Sequence, residues 1–278
     1  NGLNTGLEAQ GYSFNCARDT VLPGCPAIAC FTIKTVIPDP QRQSTTYAVN
    51  SPVVNPSCLL ASNNPAIPGT NTNLNLDDRY SAVLNIGFPF VFFGNVRNSL
   101  VASSNGYLSF DVSLANTFSH WNIINGGSPQ NLPSTFYDRE LIMGPYHDID
   151  VAITTSPNRF ISTTASGISP YRTWVLNYYK IPLFSTTCNS LIENTHSITL
   201  YESTGIIDIT LYDKQICPTW NQGRAMVGVQ NYNRDIGVMV PGRRATDPPW
   251  GSVGMSEKYR FVPIGGTPLF RRVELYDL

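Results

Sequence analysis

A chain of 278 residues, 42% of them hydrophobic, is long enough for one large domain with a real core, or for one domain and a small extra piece. A formal charge of −1 excludes the electrostatic footprint of a nucleic-acid or anionic-membrane binder, and with no apolar run of about 20 residues there is no membrane-spanning helix. Charged residues make up only 13%, about half the usual share, so the polar surface has to be built from Asn, Ser and Thr.

In chain order, residues 1–30 predict a Cys-containing lead-in. The chain opens at Asn1 with no recognisable signal peptide, so a removed leader or a fragment is expected. Residues 1–15 have few apolar anchors, and Pro23, Gly24 and Pro26 break up the stretch from Cys16 to Cys30. Short strands are expected over residues 31–37 and 45–49. Residues 51–75, rich in Pro, Asn and Ser, predict a long surface loop. The most ordered run is 83–111. Ile86, Phe88, Phe90, Phe92 and Phe93 crowd its first half, Gly94-Asn95 interrupts it, and Asn105-Gly106 separates strands over 100–103 and 107–111. Asn-Gly at that place predicts a type I′ hairpin turn, which needs positive φ at both central residues.

Residues 113–121 allow a helical turn and 126–134 a loop. Strands are expected over 159–163 and 172–179, the second dense in aromatic and branched residues. A second hairpin spans 196–212. Ile198 and Leu200, then Ile207, Ile209 and Leu211, alternate with polar residues around a three-residue Ser203-Thr204-Gly205 loop. Strands over 225–230 and 258–262 complete the set. No long amphipathic helix interrupts these signals, so the expected fold is all-β: an antiparallel β-sandwich, jelly-roll-like, with long loops, over residues 31–263. Residues 264–278 read as a linker and the first strand of a further β module. A strand without a partner is not stable alone, so the natural chain is expected to continue.

The six cysteines are Cys16, Cys25, Cys30, Cys58, Cys188 and Cys217. An even count with low charge favours disulfides in an oxidising, extracellular setting over buried thiols. Zinc fits less well, because Cys25 and Cys30 are close but no second close pair or His completes a site. Two bridges among Cys16, Cys25, Cys30 and Cys58 would staple the N-terminal segment, with three connectivities open. A Cys188–Cys217 bond would tie the base of the second hairpin.

The densest polar cluster is His147-Asp148-Ile149-Asp150. On an extended backbone Asp148 and Asp150 point to one side, and with help from Asp77 or Asp78 such oxygens can bind calcium. The structural alternative is carboxylates that cap turns or pair with Arg172 or Arg243. The histidines are His120, His147 and His196. There is no Ser-His-Asp order, HExxH, GxSxG or phosphate loop, and no catalytic residue is assigned. A His196–Asp208 pair across the second hairpin reads as structural. Asp148 and Asp150 beside Tyr146 are the only close acidic pair a glycosidase could use, with no second acid–base signal. Of the tryptophans, Trp174 lies in a strand and reads as core, whereas Trp220 and Trp250 lie in loops rich in Pro, Gly and Asn, where each either pins its own loop by burial or is a candidate for stacking on a sugar.

DDRYSAVLNIGFPFVFFG, SSNGYLSFD, GPYHDID, HSITLYESTGIIDI, CPTWNQGRAMVGVQN and the Pro-Gly-Arg at 241–243 follow one another in that order. Together with Cys16, Cys25 and Cys30 ahead of a Phe-Thr strand, this set resembles the N-terminal domain of very large cell-surface proteins of gliding Bacteroidetes. Those proteins carry a gliding-motility-associated sorting domain and leave through the type IX secretion system. The resemblance covers about residues 16–263, and its FPFxFFG…NGxxxF element is shared with nidogen-like extracellular domains. It implies a non-enzymatic, adhesin-like or gliding-associated head at the cell surface. The expected partners are the type IX translocon during export and other surface proteins or glycans afterwards. The alternative is a calcium-dependent or carbohydrate-binding lectin-like domain.

Overall fold

The computed structural model describes residues 31–33, 46–49, 65–190, 192–264 and 275–277. Cys16, Cys25, Cys30, Cys58, the lead-in 1–30 and the part of the 51–75 loop before residue 65 lie outside the described residues, so the expected N-terminal staples do too.

Period-two alternation builds the strands. In chain order they are β1 (Phe31–Ile33), β2 (Thr46–Val49), β3 (Thr70–Asn71), β4 (Leu84–Phe92), β5 (Asn95–Ala102) and β6 (Tyr107–Ser109). A small hairpin, β7 (Ile124–Asn125) and β8 (Ser128–Pro129), precedes β9 (Leu141–Tyr146), β10 (Phe160–Ser166) and β11 (Thr173–Pro182). The rest are β12 (Glu193–Tyr201), β13 (Ile207–Asp213), β14 (Met226–Gln230), β15 (Gly237–Met239), β16 (Glu257–Ile264) and β17 (Leu275–Asp277). A seven-stranded sheet has the order β2-β16-β13-β12-β11-β10-β3 and a six-stranded sheet the order β15-β14-β9-β6-β5-β4, with antiparallel pairing throughout. The fold is an antiparallel β-sandwich. Consecutive strands run as meanders within one sheet before the chain changes sheet.

The core lies between the sheets. Ile86, Phe88, Phe90 and Phe92 of β4 meet Trp174, Leu176, Ile198, Leu200, Ile207, Ile209 and Phe261 of the larger sheet, all buried in one cluster. Trp174 is core, as its place in a strand predicts. Burial of such side chains contributes roughly 1.5–3 kcal/mol each. A second apolar layer, including Tyr80, Tyr107, Tyr137, Met143 and Tyr146, lies beyond the smaller sheet. No helix among the described residues is long and apolar enough to cross a membrane.

Three local expectations are corrected. Among the two turns of the first hairpin region, positive φ at both central residues belongs to Phe93 and Gly94, at 44° and 80°, between β4 and β5. At Asn105-Gly106 only Gly106 has positive φ, and a side chain there would meet the Pro145 carbonyl at 2.4 Å. The second hairpin turns over residues 202–206, which sets Thr199 opposite Asp208 and Leu200 opposite Ile207. A three-residue loop would have put Asp208 opposite Leu200, on the core face; the observed register sends all the apolar residues inward and Asp208 outward. His196 therefore does not pair with Asp208. It stacks on Tyr178 with ring centroids 4.3 Å apart, while Asp208 binds Arg260 at 2.6 Å and Lys258 at 2.8 Å on the opposite face. β17, in the stretch read as a linker and first strand of a further module, pairs antiparallel with β1.

Cys188 and Cys217 are bonded, with Cα atoms 6.2 Å apart and a sequence separation of 29. A C188S/C217S variant is expected to lose about 3–4 kcal/mol of stability from the freed loop. Urea unfolding of both forms in non-reducing buffer measures it, and an unchanged midpoint would show that the bridge does not stabilise the fold.

Candidate metal centre and aromatic groove

The site forms where two loops meet the end of the smaller sheet. Asp77 and Asp78 sit in a turn just before the isolated bridge residues Arg79 and Tyr80. Asp148 and Asp150 follow β9 on an extended segment pinned by the Ile149–Leu183 bridge and by two backbone bonds, Asp150 N–H to Pro182 O at 2.9 Å and Phe184 N–H to Asp148 O at 3.0 Å. Ile149 is fully buried in the core, which sends its neighbours' side chains the other way.

Carboxylate oxygens of Asp77, Asp78 and Asp148 all lie within 4.8 Å of one another. Asp150, predicted as a ligand beside Asp148, stands outside that group. Its Oδ1 accepts the Ala152 N–H at 2.7 Å, and it faces the charge of Arg159. Neither Arg172 nor Arg243 reaches the acids; they pair with Glu202 and Glu257. His147 points elsewhere. It is buried near Lys214 and His196, and burial first, then the Lys214 charge, holds its pKa well below the usual histidine value.

One organiser was not legible as such in the sequence. Asn105 is fully buried, and its side chain donates to Asp78 Oδ1 at 2.9 Å and His120 O at 3.2 Å while accepting the Ile149 N–H at 3.3 Å. The residue read as a turn former is the tie between both halves of the acidic cluster.

The two loop tryptophans part company. Trp250 is 7% exposed, donates to Ala225 O at 2.9 Å, and lies under Lys214 and Arg243, so it is a packed residue and not a stacking platform. Trp220 is half-buried. Its Nε1 donates to Asp148 Oδ2 at 2.8 Å, and its ring stacks on Trp121 at 6.0 Å and leans on Phe184 at 5.2 Å. The indole thus joins the acidic cluster to an open groove of about 580 Å³.

Burial is the main cause of the site's electrostatics. It raises Asp77 to about 7, helped by the charges of Asp78 and Asp150. Asp148 is raised to about 8 by burial, against the Trp220 bond and with the charges of Asp78, Asp77 and Asp150. Asp78 and Asp150 are also raised, again chiefly by burial; the Asn105 bond and nearby His120 oppose the shift at Asp78, and the Ala152 bond and Arg159 at Asp150. No Lys or Arg salt bridge reaches Asp77, Asp78 or Asp148 among the described residues. An all-oxygen carboxylate set with no Lys or Arg salt bridge among the described residues suits a hard divalent ion such as calcium, which would displace the carboxyl protons, and not zinc.

Residues 61–249, more than half of the chain, match the family described as NIDO related. Comparison with curated proteins and with solved structures gave no match.

Two outcomes follow. Between the usual carboxylate value and the raised values, the folded chain binds more protons than the unfolded one, so its stability is fullest at low pH and lost as pH rises. Without divalent ions the melting temperature is expected to fall between about pH 4 and pH 8, calcium is expected to offset the fall, and Asp148→Asn to flatten it. Melting curves that ignore pH, calcium and chelator alike would rule the centre out. Asn105→Ala leaves buried partners unpaired and is expected to cost about 2–4 kcal/mol in denaturant unfolding, together with the calcium response. A wild-type midpoint would refute its tying role.

Proposed function

We propose that this chain, which belongs to the NIDO-related family, is a non-enzymatic binding head that works at a cell surface. The family is of an extracellular type, and the Cys188–Cys217 bond suits an oxidising compartment. The observation that carries the reading is this membership together with a site built from carboxylates and aromatics on loops at one end of a rigid sandwich. The chain's part would be mechanical: a stiff, stapled scaffold that holds a recognition surface away from the cell. The finer reading follows the ordered motifs from residue 77 to 243. It makes the chain the head of a large adhesin-like or gliding-associated protein, exported by the type IX system with its translocon as partner.

The lectin-like reading has its own support in the Asp77–Asp78–Asp148 group, which gives calcium a place to act as a structural or ligand-bridging ion.

Export has a direct test in cells that make the protein. Protease added outside should remove it while a periplasmic marker survives, and inactivating the type IX translocon should protect it. Protection in intact wild-type cells would overturn the surface reading; surface exposure without the translocon would overturn the export route alone.

A further inference from the structure

The groove beside the acidic cluster has a chemistry of its own. One wall is the loop of Phe184, Thr186, Thr187 and Asn189, the other carries Trp220, and Asp150 also lines the groove. The Cys188–Cys217 bond joins these two walls directly, since Cys188 follows Thr187 and Cys217 precedes Trp220 by three residues. Trp220 is held at both ends. Its nitrogen is bound to Asp148, and its ring lies against Trp121 and Phe184. A ligand therefore meets aromatic surface already fixed in place, which lowers the ordering cost of binding.

The lining selects the ligand class. At about 580 Å³ the groove falls within the range of small-molecule sites. Its rim offers the hydroxyls of Thr186 and Thr187, both exposed, and the amide of Asn189. Among the described residues no Lys, Arg or His lines it, so an anionic ligand would meet the Asp150 carboxylate with only Arg159, outside the lining, to offset the repulsion. A purely apolar ligand would strand the hydroxyls and the carboxylate. A sugar ring matches both halves: its C–H face lies on an indole, and its hydroxyls donate to a carboxylate and exchange hydrogen bonds with threonine and asparagine.

We propose that this groove binds a neutral saccharide, stacked on Trp220 and hydrogen-bonded by Asp150, Asn189 and the threonine rim. The proposal gives the lectin-like reading its ligand class and rests on that reading, but the sugar contacts and the acidic group are separate sets of atoms, linked through the Trp220–Asp148 bond and the nearby charge of Asp150. They can fail separately.

The test titrates the purified protein with methyl glycosides of glucose, galactose, mannose and N-acetylglucosamine and with short oligomers of each. Tryptophan fluorescence and saturation-transfer NMR report binding, with and without calcium. At least one of these sugars is expected to saturate at millimolar concentration or below. Trp220→Ala should weaken it by about tenfold or more. Because Trp220 also packs on Phe184 and Trp121, a second variant guards against misfolding: Thr186→Ala with Thr187→Ala, both exposed, should weaken binding several-fold with an unchanged melting temperature. Tyr232→Ala, at a distant exposed site, should bind as wild type. No saturable binding across the panel, or wild-type binding by both groove variants, overturns the proposal. A calcium-dependent melting shift that persists in that case leaves the metal centre standing, whereas sugar binding with no calcium response removes the metal centre and keeps the groove.

Discussion

The side-chain amide of Asn105 ties the sandwich to the loops of the candidate site. It sits on a hairpin turn of the smaller sheet, wholly out of water, and its hydrogen-bonding capacity is spent on Asp78, His120 and Ile149. An amide can do this because it offers donors and an acceptor on one planar group. Each partner belongs to a different segment, so one residue fixes three loops. Buried polar groups need partners, and here that need converts a turn into a clamp.

The clamp holds together groups that repel. Asp77, Asp78 and Asp148 are drawn within 4.8 Å with Asp150 nearby, in a place where burial already disfavours charge. Elsewhere the chain meets the same difficulty differently. Asp208, fully buried, has Arg260 and Lys258 beside it; burial pushes its pKa up, but their hydrogen bonds and charges outweigh that and hold it below the usual range. The contrast between a compensated and an uncompensated buried acid separates a structural group from a candidate binding one. It also explains why the cluster lies on loops, where backbone can be shaped for a ligand, and not in the ladder of a sheet.

The disulfide serves the same end of the molecule. Cys188, Cys217, Leu183 and Ile192 form a small apolar cluster against Trp220. The bond joins the segment that leaves β11 to the segment that leaves β13, and so steadies loops that no sheet hydrogen bonds would hold. Scaffold and site are thus linked by packing: the core fixes Ile149, Ile149 orients Asp148, and Asp148 orients the indole that lines the groove.

Residue order alone sets the strands and their inward faces. Ile86 to Phe92, Ile198 with Leu200, and Ile207 to Leu211 alternate with period two, and burial of one face leaves them only one arrangement. It also placed Trp174 in the core and marked Cys188 and Cys217 as a pair, because both flank one hairpin. Tertiary structure alone decided the rest. Asp77 and Asp78 join Asp148 across some seventy residues, a meeting set by how loops pack beyond the sheet ends, where no periodicity acts. Trp220 and Trp250 stand in similar local sequence, yet one lines a groove and the other is buried between Lys214 and Arg243. Asn105 looked like a turn residue because its partners lie 15, 27 and 44 positions away. Local pattern records which side of a strand meets the core; it carries no record of which distant loops will share one small volume, and that is where the candidate site lies.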